Sequence, residues 1–165
     1  MEGWRTGQSP RSLAHQMMGT SARMPIASGS SQDSPPLLGP SFLGVPQRGL
    51  YPGEDTFFRQ NPNVGGMAAD DDRVILNPHS SLSASQMHTV GRNEGARVAM
   101  RDGTVARPIF DLTPSQSLLF GGYSPDLQDR RDTLAARAFT GDRSAGSLSA
   151  EQMDYNAYLA RTLGQ

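Results

Sequence analysis

The sequence contains no cysteine and no lysine. Without cysteine, the chain can form no disulfide bond and has no thiolate for catalysis or metal binding. All fifteen basic residues are arginines, and sixteen acidic residues nearly balance them, so the overall charge would not attract nucleic acid or an anionic membrane. A GC-rich genome explains the lack of lysine, and the alternatives are planar arginine contacts or avoidance of lysine modification in a host cell.

Apolar residues are also scarce. They make up 36% of the chain, whereas an average globular domain has about 45–50% when glycine is included. Strongly apolar runs are short, as at residues 74–76, and a membrane-spanning helix is therefore not expected. A compact fold over the full length is not expected either.

Residues 1–66 are rich in proline and glycine, with eight of the twelve prolines and ten of the eighteen glycines. Proline at this density prevents a helix from propagating. Apolar residues recur between the prolines, a pattern that favours an extended arm with one anchor in each pocket of a partner's groove. A disordered tail is the alternative. The predicted partner-binding anchors are Trp4, Leu37, Leu38, Phe42, Leu43, Leu50, Tyr51, Phe57 and Phe58.

Residues 67–81 form an acidic junction, and residues 82–165 carry the start signals of four short helices. The three aspartates at 70–72 lack the alternating spacing of a calcium loop, so we expect a solvated cluster. The helix starts are capping boxes or proline at the first turn, and they lie at Ser83–Gln86, Thr113–Gln116, Ser124–Asp126 and Ser149–Gln152. Gly91 and Gly95 interrupt the first helix, at up to ~1 kcal/mol each relative to alanine, or allow another backbone to approach closely.

The predicted fold is therefore mainly α, with a long irregular N-terminal arm followed by a small bundle of about four short helices. The bundle has about 80 residues, and a core of that size supplies only ~3–5 kcal/mol. We expect it to be stabilised by binding its own arm or other subunits.

No catalytic, cofactor-binding or metal-binding residues are predicted. The three histidines are isolated from one another, and no nucleotide-binding or serine-hydrolase motif occurs. Glu94 is the one carboxylate worth testing for catalysis, but an ion pair with Arg97 or Arg101 explains it better. Arginines without interleaved aromatic residues also make a poor nucleic-acid surface.

Several short strings in residues 70–165 resemble small virion-associated proteins of tailed bacteriophages. They are Asp72–Pro78, Leu82–Ser83, Arg92–Glu94 with Arg97, Phe110–Pro114 with Gln116, Ala135–Ala138, Gly141–Asp142 and Ser144–Ala145. The resemblance implies a structural or assembly role at the capsid, portal or tail, with other virion proteins as multi-copy partners and assembly in the host cytoplasm. An extended arm threaded between subunits agrees with that role.

Two other functions remain open. A secreted bacterial effector would combine a Ser/Gly/Pro-rich leader with a small helical domain and no lysine. A hydrolase of cell wall would need a pair of carboxylates, which the sequence does not reveal.

Overall fold

A computed structural model describes residues 35–39 and 41–164 of the chain. About half of these residues are helical, so the predicted mainly α class is confirmed. The described elements are α1 (Pro52–Gln60), β1 (Gly66–Ala68), β2 (Val74–Leu76), α2 (Ala84–Arg101), α3 (Pro114–Gly121), α4 (Leu127–Phe139), a 3-10 turn (Arg143–Ala145) and α5 (Ala150–Leu163).

The helix starts predicted from the capping signals are confirmed. Before α2, the Ser83 backbone N–H donates to Oε1 of Gln86 at 2.8 Å, and the Gln86 N–H donates to the Ser83 hydroxyl at 3.3 Å. The same reciprocal pair begins α3 and α5. In each case two backbone donors that the helix cannot satisfy find side-chain partners. Asp126 caps α4 by accepting from the Asp129 N–H.

The main core lies where α2, α4 and α5 meet. Its fully buried side chains include Met100 of α2, Phe120 of α3, Leu134 of α4 and Leu159 of α5. Burying each of these side chains contributes about 1.5–3 kcal/mol. This core fixes the position of α2, against which the N-terminal residues pack.

Residues 36–39 and 41–49 fold back on themselves. The Phe42 and Val45 backbones exchange hydrogen bonds at 2.9 Å around a turn. Its central residues, Leu43 and Gly44, both have positive φ (55° and 82°), as in the mirror-image turns that suit hairpins. The returning strand then lies parallel to β2, because the Arg48 N–H donates to the Val74 carbonyl at 3.1 Å. This pairing is an isolated parallel bridge beside the two-stranded β1–β2 sheet.

Phe42 inserts into a notch on α2 made by two glycines. A Cβ at Gly91 would lie 2.3 Å from the Phe42 ring, and a Cβ at Gly95 would lie 2.6 Å from the Phe42 carbonyl oxygen. Only glycine leaves room for this contact. The expectation that another backbone approaches closely is confirmed at Gly95, whereas Gly91 makes room for the Phe42 ring.

The described part of residues 1–66 therefore belongs to the folded unit instead of forming a free arm. Helix α1 lies within it, where an extended chain was predicted. Phe58 of α1 is fully buried with Val64 and Ile75. The reason for the difference is packing: this segment has apolar side chains that the later elements can bury.

Arg48 joins the 36–49 segment to α1 and to the β1–β2 turn. Its guanidinium binds both carboxylate oxygens of Glu54 at 2.7 and 2.8 Å, binds Asp71 at 2.8 Å and lies over the Tyr51 ring. Asp72 forms a second ion pair, with Arg101. Two of the three aspartates expected to be a solvated cluster are thus ion-paired, although each keeps about half of its side chain exposed.

Candidate functional site

The predicted anchors divide into exposed and buried groups. Leu37 and Leu38 are 65% and 43% exposed, whereas Phe42 and Phe58 are buried in this chain's own cores. The anchors of intermediate burial are Leu43, Leu50, Tyr51 and Phe57. Trp4 lies outside the described residues. In this conformation Phe42 and Phe58 are core residues, and Leu37 and Leu38 remain accessible to a partner.

The helical part also exposes large apolar side chains, which were not predicted as partner contacts from the sequence. Ile109 is 86% exposed and Leu118 of α3 is 85% exposed. Leu127 and Met153, at the starts of α4 and α5, are about half exposed. The exposure of Leu118 could have been predicted from the sequence, because Leu118 and Leu119 are adjacent and a short helix cannot bury both.

A cavity of about 380 Å³ lies between α2, the start of β1 and the loop after α4. This volume falls within the range of about 300–1,000 Å³ typical of small-ligand sites. The α2 face of the cavity is formed by Gln86, Thr89, Val90, Asn93 and Glu94, and the opposite wall by Thr140, Gly141, Asp142 and Arg143. Gly65 and Gly66 complete it.

Glu94 lines the cavity and is only 2% exposed. Its Oε2 accepts hydrogen bonds from the Ala68 backbone N–H at 3.0 Å and from Arg97 at 3.2 Å. Its Oε1 accepts none from the part of the chain that the structure describes. The predicted ion pair with Arg97 is present, whereas Arg101 pairs with Asp72 instead.

Burial raises the pKa of Glu94 above its ordinary value. The charge of Arg97, the Ala68 N–H and the charge of Arg137 all oppose this rise, but the loss of hydration outweighs them.

Asn93 is the second buried polar side chain at the cavity, at 9% exposure. Its amide makes no hydrogen bond to any of the residues at 35–39 and 41–164. The hydroxyls of Thr89 and Thr140 donate to carbonyls of their own helices, which leaves their oxygens able to accept.

Asp142 brings a second carboxylate to the same cavity. One of its oxygens accepts from the Ser144 N–H at 2.8 Å and caps the 3-10 turn. Sequence reasoning sought paired carboxylates and missed this one, because Asp142 joins Glu94 only through the packing of α4 against α2.

In the described ranges, no helix is long and apolar enough to cross a membrane. Nor do three or more histidine, aspartate or glutamate side chains there come together in a way that could hold a metal ion.

No protein-family model, curated protein or solved structure matches the chain.

Proposed function

We propose that this chain is a non-enzymatic structural or assembly protein of a tailed-phage virion, and that it binds neighbouring subunits through its N-terminal segment. The observation that carries the proposal is the exposure of Leu37 and Leu38, two adjacent large apolar side chains, at 65% and 43%. Their counterpart Phe42, a few residues later, is buried in this chain's own α2 notch.

The energetics favour burial of this pair by a partner. Covering a leucine side chain fully contributes about 1.5–3 kcal/mol, so two of them supply only a few kcal/mol at one contact. Such a contact is weak alone but becomes firm when many linked copies bind at once. Capsids, portals and tails present repeated grooves of this kind, which agrees with the phage resemblance.

The test is incorporation of the full chain into particles. A tagged chain would be supplied during phage growth, and gradient-purified virions would be assayed for it by mass spectrometry. We expect wild-type chain in the particles and at least about tenfold less of the Leu37→Asp/Leu38→Asp variant, since two buried charges abolish a contact of this size.

Leu118→Asp is the matched control, because Leu118 is as apolar and even more exposed but lies on α3. It should be incorporated like wild type. Absence of the wild-type chain from virions, or its recovery in the secreted fraction of a bacterial culture, would refute the virion role, and the second result would favour a secreted effector. Loss of the control variant alone would place the contact on α3 and refute the role of the two leucines.

A further inference from the structure

The cavity beside α2 has unused hydrogen-bonding capacity that the proposed assembly role does not explain. Asn93 and Glu94 are each at least nine-tenths buried and line it. Within the described ranges, Oε1 of Glu94 and the whole Asn93 amide have no hydrogen-bond partner. Neither group is a fully enclosed atom without a partner, so both reach the open space of the cavity. There the hydroxyl groups of a ligand can take the place of water.

The lining residues restrict the chemistry of that partner. Among the lining residues that the structure describes, Val90 has the one large apolar side chain and none has an aromatic ring, so neither an apolar molecule nor a stacked nucleobase is suited to the cavity. The carboxylates of Glu94 and Asp142 would repel a phosphate or another anion.

A cationic ligand is also disfavoured. Arg97 is paired with Glu94, the charge of buried Arg137 acts on the same carboxylate, and Arg143 lines the opposite wall. Three guanidinium groups thus face two carboxylates, and the local charge does not favour a further cation. A neutral molecule with many hydrogen-bonding groups remains.

We propose that this cavity binds a neutral polyhydroxylated molecule of the size of a mono- or disaccharide, with the Asn93 amide and Glu94 Oε1 as its two central contacts. A hydroxyl group both donates and accepts. The amide of Asn93 has both a donor and an acceptor for such hydroxyl groups. The oxygens of Glu94, Thr89 and Thr140 accept hydrogen bonds, and the guanidinium of Arg143 donates them. A few well-placed polar groups in a cavity orient a small polar ligand through such hydrogen bonds.

The test is a two-dimensional ¹H–¹⁵N NMR titration of the full chain. The probes are glucose, N-acetylglucosamine, maltose and glycerol, with inorganic phosphate and methylamine as charged comparisons. We expect at least one sugar to shift the amide signals of residues 89–94 and 140–143 and to saturate in the millimolar range. The charged probes should produce no saturable shift there.

Two variants then test the central contacts separately. Asn93→Ala removes the whole amide. In Glu94→Gln the single side-chain oxygen is held by the Ala68 N–H and Arg97, which leaves an NH2 group where Oε1 accepted. Each variant should therefore weaken binding of that sugar by about tenfold or more. Glu151→Gln makes the same chemical change at an exposed position of α5 and should leave the affinity for that sugar within about twofold of wild type. The NMR spectrum reports folding of each variant, and Asn93→Ala keeps the test independent if Glu94→Gln unfolds.

Three results would overturn the proposal. They are no saturable shift with any sugar or with glycerol, shifts that persist unchanged in both variants, and saturable binding of phosphate or methylamine in their place. Since none of these results depends on Leu37 or Leu38, the proposed ligand site and the proposed virion role are tested independently.

Discussion

Substituting alanine for Gly91 tests the Phe42 notch directly. Alanine is favoured over glycine in a helix by about 1 kcal/mol. Here, however, the new Cβ would lie 2.3, 2.4 and 2.6 Å from three atoms of the buried Phe42 ring, so the ring must leave its place. Losing most of the burial of a phenylalanine costs about 2–4 kcal/mol. The net expectation for Gly91→Ala is a free energy of unfolding about 1–3 kcal/mol lower than wild type.

The same substitution should reverse its effect when the ring is absent. In a Phe42→Ala background the clash is gone, and Gly91→Ala should raise stability by up to about 1 kcal/mol. The coupling energy of the double-mutant cycle is then about 2–4 kcal/mol. Urea unfolding followed by far-ultraviolet circular dichroism measures all four chains. Gly53→Ala in α1, where the added Cβ meets nothing within 4 Å, is the control for helix propensity. Equal destabilisation by Gly91→Ala in both backgrounds would refute the notch.

Three further predictions concern buried polar groups. Burial raises the pKa of Glu94, so the folded chain holds that proton more tightly than the unfolded chain and should lose stability as pH rises through 4.5 toward the folded value; Glu94→Gln should lack this loss. Arg48→Met should lower the free energy of unfolding by about 2 kcal/mol or more, because it strands the Glu54 carboxylate, and Arg48→Lys should recover less than half, since it lacks the planar fork. Gln116→Leu should cost about 2–4 kcal/mol, because it removes one member of the buried amide pair that Gln116 forms with Gln152 at 2.9 Å, together with the α3 cap.

Each of these predictions has a measurement that can contradict it. The pH dependence is measured as the difference in urea midpoints between wild type and Glu94→Gln, and a difference that stays constant from acid to neutral pH would contradict the sign given. If Arg48→Lys has the wild-type free energy of unfolding in the same assay, the positive charge at this position is sufficient and the planar fork of arginine is not needed. Gln86→Leu removes the equivalent cap of α2 at an exposed position, so an equal loss in Gln86→Leu and Gln116→Leu would show that the buried amide pair contributes nothing.

The helix boundaries were predictable because their causes are local. Ser83 and Gln86 are three residues apart and satisfy each other's backbone donors wherever the rest of the chain lies. Helix α1 carried a comparable signal, with Pro52 at its first position and Glu54 accepting from the Tyr51 N–H. The prolines around it predict an extended chain because they stop a helix from propagating, although proline at a first turn favours the start of a helix.

The contacts that place residues 36–49 were not predictable from local patterns. Gly91 and Gly95 within a helix indicated a close approach, but nothing in the sequence identifies Phe42 as the residue that makes it. The cavity was missed for the same reason, since Asn93 and Asp142 come together only when α2 and α4 pack. Those positions depend on shape complementarity between distant segments, which periodicity and capping do not encode.

The packing of Phe42 against α2 also bears on the order in which the chain acquires structure during synthesis. The Phe42 turn leaves the ribosome well before α2, whose glycines bury it, so it has no native surface to fold against until residues 84–101 have followed. During that interval Phe42 and the two neighbouring leucines are all accessible to whatever is nearby. A nascent chain halted before α2 should therefore bind chaperones through this segment, and release should coincide with completion of α2.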